Sequence, residues 1–96
     1  MMTVGRSALG VVAGGVLTSA CALPPQGVTR DQIGHYEKAV ASIGCELVYD
    51  SDYLPVELQA DLTRAQVVEI TQYQLAAGKA ERLANGGVKL TTGACA

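Results

Sequence analysis

The stretch that decides the fold is residues 63–92, which read TRAQVVEITQYQLAAGKAERLANGGVKLTT. It opens with a capping box, because the Thr63 hydroxyl can accept from the amide three residues on and Gln66 can reach back. Gly78 suits the end of a helix. Between them the apolar residues recur at helical spacing: Val67, Val68, Ile70 and Leu75. We predict a helix from residue 63 to about residue 77.

A β-hairpin is predicted directly after this helix. Residues 81–83 and 88–91 flank the sequence Ala84-Asn85-Gly86-Gly87. Asn followed by Gly is the strongest short-range signal for a hairpin turn. The second half of the chain is therefore predicted to be a helix followed by two antiparallel strands.

A second capping box upstream predicts another helix. Thr29 and Gln32 have the required spacing, and Gly44 is placed to end the helix. The residues predicted to face the core are Ile33, Tyr36, Ala39, Val40 and Ile43. His35 falls on the opposite, solvated face together with Lys38, so we assign it no catalytic or ligand role.

The segment between these helices is less regular. Residues 45–49 fit either a short strand or an extended connector, and residues 50–52 are predicted to break it. Asp50 and Asp52 lack the glycine and distal glutamate of a calcium loop, so they are assigned to capping and turns. A short helix is predicted over 54–62, with Pro55 in its first turn.

The predicted fold class is α+β and mainly helical, with three helices followed by a C-terminal β-hairpin. This order resembles a winged-helix domain, most closely over residues 54–92, and the likeness includes Leu-Thr-Arg-Ala-Gln-Val-Val-Glu-Ile at 62–70 and Gly-Gly-Val-Lys-Leu-Thr at 86–91. The resemblance implies DNA binding. However, the formal net charge is −2, and the outward residues of the 63–77 helix include no cation: Gln66, Glu69, Gln72, Tyr73 and Ala76. Phosphate contacts need Lys and Arg, so no nucleic acid is expected as a partner.

The first 22 residues have the three-part plan of a bacterial export signal. Arg6 supplies a basic start, residues 7–20 are uncharged, and the segment closes on small residues before Pro24-Pro25. The apolar run is shorter than the roughly 20 residues of a spanning helix. We predict an export signal at 1–22, a Pro/Gly linker at 23–28 and a small globular domain at 29–96.

Two processing routes fit the end of this signal. Ala20-Cys21-Ala22 matches the A-x-A rule, which gives cleavage after Ala22 and a soluble chain. Residues 17–21 also resemble a bacterial lipobox, except that Thr18 replaces the usual leucine. That resemblance implies a lipid on Cys21 and, with Ala22 next, anchoring to an outer membrane. The expected location is thus an outer-membrane-anchored lipoprotein or a periplasmic protein.

The remaining cysteines are predicted to form a disulfide. Both routes withdraw Cys21 from thiol chemistry, which leaves Cys45 and Cys95 as a pair in an oxidising compartment. A redox or metal pair is not indicated, because there is no C-x-x-C spacing and His35 lies ten residues from Cys45.

The sequence contains no nucleophile-elbow serine, zinc signature or phosphate loop, so we predict no enzyme activity, cofactor or metal. The whole chain resembles short exported bacterial lipoproteins that join a signal, a Pro-containing linker and a disulfide-closed domain. We predict an interaction or accessory module that contacts the membrane through Cys21 and an envelope protein through Tyr49, Tyr53 and Tyr73. Those tyrosines could instead complete the core. The alternative function is a cytoplasmic winged-helix DNA-binding regulator.

Overall fold

The structure, a computed structural model, describes residues 23–96. The predicted export signal, including Cys21, lies outside the described residues. The elements follow in this order: α1 (Arg30–Ser42), β1 (Glu46–Leu47), α2 (Asp50–Ala60), α3 (Arg64–Ala76), β2 (Ala80–Arg82), β3 (Val88–Leu90) and a 3₁₀ helix (Gly93–Cys95). The predicted class is confirmed, because three helices precede a C-terminal hairpin in a mainly helical α+β chain.

Both predicted capping boxes are present. The Thr29 hydroxyl accepts from the Gln32 amide at 3.1 Å, and the Gln32 side chain accepts from the Thr29 amide at 2.8 Å. Thr63 and Gln66 repeat the arrangement at 3.1 and 2.9 Å. The polar residues that start α1 and α3 therefore satisfy amides that would otherwise lack a partner.

The prediction for α2 was wrong at its start. The helix begins at Asp50, four residues earlier than predicted, and Pro55 lies in its second turn. The cause is Asp52, whose carboxylate accepts from the amides of Val48 and Tyr49, both at 2.9 Å. These bonds from Tyr49 and Val48 lower the pKa of the Asp52 carboxyl. The segment Asp50-Ser51-Asp52 therefore starts a helix. Pro55 has no amide hydrogen, so only the helical bond to the Ser51 carbonyl is lost, and Ser51 is exposed to water.

The hairpin joins a three-stranded antiparallel sheet in the order β1-β3-β2. Residues 45–49, left open as strand or connector, supply the third strand, since Leu47 pairs with Val88. The hairpin loop has three residues: Gly86 has a φ of +89° and donates to Leu83 at 3.0 Å. Because Asn85 keeps a negative φ, the connection is a type I turn followed by a left-handed glycine.

Gly87 is required for a different reason from Gly86. A Cβ at this position would lie 2.8 Å from the Val48 Cγ2 atom and 2.9 Å from the Leu47 carbonyl oxygen. No side chain fits at that distance from a backbone oxygen. Gly87 therefore allows β3 to begin directly beside β1.

The core lies between the three helices and the inner face of the sheet. Its fully buried side chains are Tyr36, Val40, Leu47, Val56, Val67, Ile70, Gln74 and Leu90. Four residues predicted to face the core are only half-buried: Ile33, Ile43, Val68 and Leu75. Thr71 and Gln74, which are not among the predicted core residues, are also buried. Among residues 23–96, no helix is long and apolar enough to cross a membrane.

The predicted disulfide between Cys45 and Cys95 is confirmed, with a Cα–Cα distance of 5.7 Å. Cys45 lies between α1 and β1, three residues after Ser42, and adopts a left-handed φ of +70°. Cys95 lies in the 3₁₀ helix after β3. The bond therefore fastens the C-terminal residues to the junction of α1 and β1.

Candidate interaction surface

An unpartnered apolar surface lies on α2. Leu54 and Leu58 are 53% and 74% exposed. Residues four apart share one stripe of a helix, and the buried stripe of α2 is formed by Val56 and Ala60, about half a turn away. The two leucines thus stand side by side on the face directed away from the core.

Acidic residues stand at both ends of this pair. Asp50 precedes Leu54 by four residues, and its side chain is 98% exposed. Asp61 follows Leu58 by three residues and is also exposed. We refer to these four residues, Asp50, Leu54, Leu58 and Asp61, as the α2 surface. It consists of an apolar centre between two negative ends.

Arg64 is a cation near the α2 surface, and it is already paired with two carboxylates. The Arg64 guanidinium is bonded to the Glu57 carboxylate and lies 3.6 Å from Asp50. Its carbon also lies 4.9 Å from the centre of the Tyr53 ring. The hydrogen bond with the Glu57 carboxylate is the main reason that the pKa of Arg64 is raised. Because one guanidinium serves two carboxylates, this end of α2 stays negative.

Asp61 is an unfavourable residue for its position. It follows the last residue of α2 with a left-handed φ of +55°. Asn and Gly are better tolerated there, and a negative charge is disfavoured at a helix C-terminus. We expect Asp61→Asn to raise the free energy of unfolding by about 0.5 kcal/mol, measured by urea denaturation. A lower stability for the variant would contradict this account.

The exposed leucines are expected to contribute little to stability. The double substitution L54Q/L58Q keeps a similar helix propensity and should change the free energy of unfolding by less than about 1 kcal/mol. Val56→Ala on the buried stripe of the same helix is the matched control and should cost about 2 kcal/mol. Thermal melting compares the two. An equal loss from both variants would place the leucines in the core.

The three tyrosines assigned to a partner lie at two places in the fold. Tyr49 is 69% exposed and directly precedes α2. Tyr53 is half-buried under Arg64, at the start of α3. Tyr73 lies nine residues after Arg64 on α3, so the two side chains project from opposite sides of that helix. Tyr49 and Tyr53 thus lie at the start of α2, whereas Tyr73 lies on α3.

The linker lies beside the outward face of α3. Leu23, Pro25 and Gln26 line a shallow groove of about 330 Å³ together with Glu69, Gln72 and Tyr73. The Lys79 ammonium lies 5.9 Å from the centre of the Tyr73 ring. Tyr73 therefore has the linker and Lys79 of its own chain beside it.

Within residues 23–96 there is no group of three His, Cys, Asp or Glu side chains that could hold a metal ion. His35 is exposed on α1, as predicted. The buried Tyr36 hydroxyl is bonded to Thr71 at 2.7 Å, and burial raises the pKa of Tyr36 to about 12. A phenol that keeps its proton to such a pH is a poor base.

The exposure of Leu54 and Leu58 was not anticipated from the sequence. Val56 on the same helix is buried. The signal was the spacing within the predicted helix at 54–62, which places Leu54 and Leu58 on one stripe and Val56 and Ala60 on the opposite one.

Comparison of the chain with protein families, with curated proteins and with solved structures finds no match in any of the three. A function for this chain therefore has to be inferred from its own residues.

Proposed function

We propose that this chain is an exported, non-enzymatic interaction module of the bacterial envelope, either anchored by a lipid on Cys21 or released as a soluble domain. The observation that carries the interaction role is the α2 surface. Two large apolar side chains face water on a small domain whose other large aliphatic side chains are mostly in or against the core. Exposed apolar groups with a polar rim are typical of protein contact sites.

The export part of the proposal is supported by the cysteines and by the order of the N-terminal residues. A disulfide between Cys45 and Cys95 is compatible with an oxidising compartment. The basic residue, uncharged run and small-residue exit of 1–22 precede it in the order that secretion requires. The linker at 23–28 then separates Cys21 from the domain.

The intact mass of the protein, purified from the cells that produce it, tests export. We expect the mass of residues 21–96 plus a diacylglycerol and an acyl group, rising by about 2 Da on reduction of the disulfide. A chain that starts at Leu23 would support the soluble form. Cys21→Ser is the control, because it abolishes lipid attachment. An uncleaved and fully reduced chain would contradict export.

A cytoplasmic winged-helix regulator is the second candidate, favoured by the order of the elements. The surface of α3 opposes it. Its exposed residues beyond the first turn are Glu69, Gln72 and Ala76, and the guanidinium of Arg64 is held by Glu57. Few cations near the hairpin could contact DNA phosphates: Lys79, Arg82 and Lys89. Of these, Lys89 lies between Glu46 and Glu81 in the sheet. Tight binding to mixed-sequence duplex DNA at physiological salt would restore this candidate.

A further inference from the structure

The α2 surface has properties that restrict which kind of partner it can bind. Its two leucines are four residues apart, so they present a ridge about one helical turn long. A ridge of this kind suits the apolar stripe of an amphipathic helix, which offers anchors at the same spacing.

The charge around the ridge is mostly negative. Residues 39–63 contain five acidic residues and no Lys or Arg. Of the five, Glu46 lies opposite Lys89 in the sheet, Asp52 is engaged by backbone amides, and Glu57 is bonded to Arg64. Asp50, which shares Arg64 at 3.6 Å but keeps a side chain 98% exposed, and Asp61 stand at the two ends of the leucine pair, where a partner on the ridge would meet both.

These charges oppose a second copy of the chain as the occupant. If two α2 helices packed antiparallel, with Leu54 of one copy against Leu58 of the other, Asp50 of each copy would approach Asp61 of the other. If they packed parallel, each aspartate would approach its own equivalent. Either arrangement places like charges together at both ends of a small contact, which is destabilising. A surface of anionic phospholipids would repel the same carboxylates.

We propose that the α2 surface binds a basic amphipathic segment of another protein, with apolar residues on Leu54 and Leu58 and Lys or Arg beside Asp50 and Asp61. This inference rests on the proposed interaction role and does not depend on export. It also accounts for Asp61, a residue unfavourable for the helix end that a basic partner would nevertheless contact.

The test uses the purified, disulfide-bonded chain and a fluorescent synthetic peptide. The peptide is a helix of about 15 residues with leucines on one stripe and lysines elsewhere. A second peptide has the same composition, with its leucines distributed around the helix. Fluorescence anisotropy measures binding of each peptide, and sedimentation equilibrium measures self-association of the chain alone.

We expect the amphipathic peptide to bind, and L54Q/L58Q to weaken binding about tenfold. D50N/D61N should weaken it severalfold and reduce its salt dependence, since salt screens exposed charges. Leu23→Gln is the matched control, because Leu23 is equally exposed but lies in the linker, and it should bind as the unmodified chain does. Thermal melting verifies that every variant is folded.

Three results would overturn the inference. The first is equal binding of both peptides, and the second is undiminished binding by L54Q/L58Q. The third is self-association, or binding to phosphatidylglycerol vesicles, that requires Leu54 and Leu58 while the peptide does not bind. That third result would leave the interaction role intact and replace only the partner, whereas the intact mass tests export separately.

Discussion

Replacing Cys45 and Cys95 with serine should lower the free energy of unfolding by about 4 kcal/mol. The two residues are 50 positions apart. Without the bond, the unfolded chain gains the conformations that closure of this loop forbids. Because a single core of this size supplies only a few kcal/mol, the variant should be close to unfolding at room temperature.

Urea denaturation of the double variant and of the unmodified chain measures this difference. The unmodified chain treated with dithiothreitol is the matched control, since it loses the bond without a change of side chain, and both samples should lose the same stability. A midpoint that does not change on reduction would show that packing of the C-terminal 3₁₀ helix against α1 is sufficient by itself.

The second large effect is a loss of stability at alkaline pH that arises from Tyr36. Its ring is fully buried and its hydroxyl is bonded to the Thr71 hydroxyl at 2.7 Å. The Thr71 proton is donated to the Val67 carbonyl at 2.8 Å, so Tyr36 must donate to Thr71. Ionisation of Tyr36 would remove that donor and bury a charge, and burial accordingly raises the pKa of Tyr36 from 10.0 to about 12.

The sign of the effect follows from which state holds the proton. Above pH 10 the unfolded chain releases the Tyr36 proton while the folded chain keeps it until about pH 12. The unfolded state then binds fewer protons, so the free energy of unfolding falls as pH rises, by about 1.4 kcal/mol per unit and about 3 kcal/mol in all. Below pH 10 the contribution of Tyr36 to the free energy of unfolding is fully present.

Tyr36→Phe isolates the contribution of this one hydroxyl. The variant leaves Thr71 bonded to Val67, so at pH 8 it should lose only about 1 kcal/mol. Between pH 10 and 12 its stability should decline less steeply than that of the unmodified chain. If urea denaturation gave the variant and the unmodified chain the same decline in stability with pH, the alkaline loss would not arise from Tyr36.

The elements that local chemistry specifies could be read from the sequence. Thr29 and Thr63 each precede a glutamine by three residues, and that spacing alone satisfies the first amides of a helix. Asn85-Gly86 likewise specifies a turn, although the structure makes it a three-residue loop. The start of α2 was misjudged because Asp50 to Asp52 suit a turn or a helix start equally well, and only the bonds of Asp52 distinguish them.

The interaction surface was harder to anticipate than the helices. Tyrosines are favoured in interfaces on average, but Tyr53 and Tyr73 contact their own chain through Arg64 and Lys79. Leu58 would ordinarily be assigned to a core. Its exposure depends on the register of α2 against α1 and α3, which no single segment reveals.

The sequence by itself determined α1, α3 and the hairpin, because caps and turn residues act over short range. It also determined the pairing of Cys45 with Cys95, since these two of the three cysteines remain once Cys21 is assigned to the predicted export signal. The tertiary structure decided what depends on neighbours distant in the chain. It placed Thr71 and Gln74 in the core, required glycine at position 87 because Leu47 and Val48 lie against it, and left Leu54 and Leu58 exposed. Burial is a property of the packed assembly, since each side chain is covered by residues from other segments.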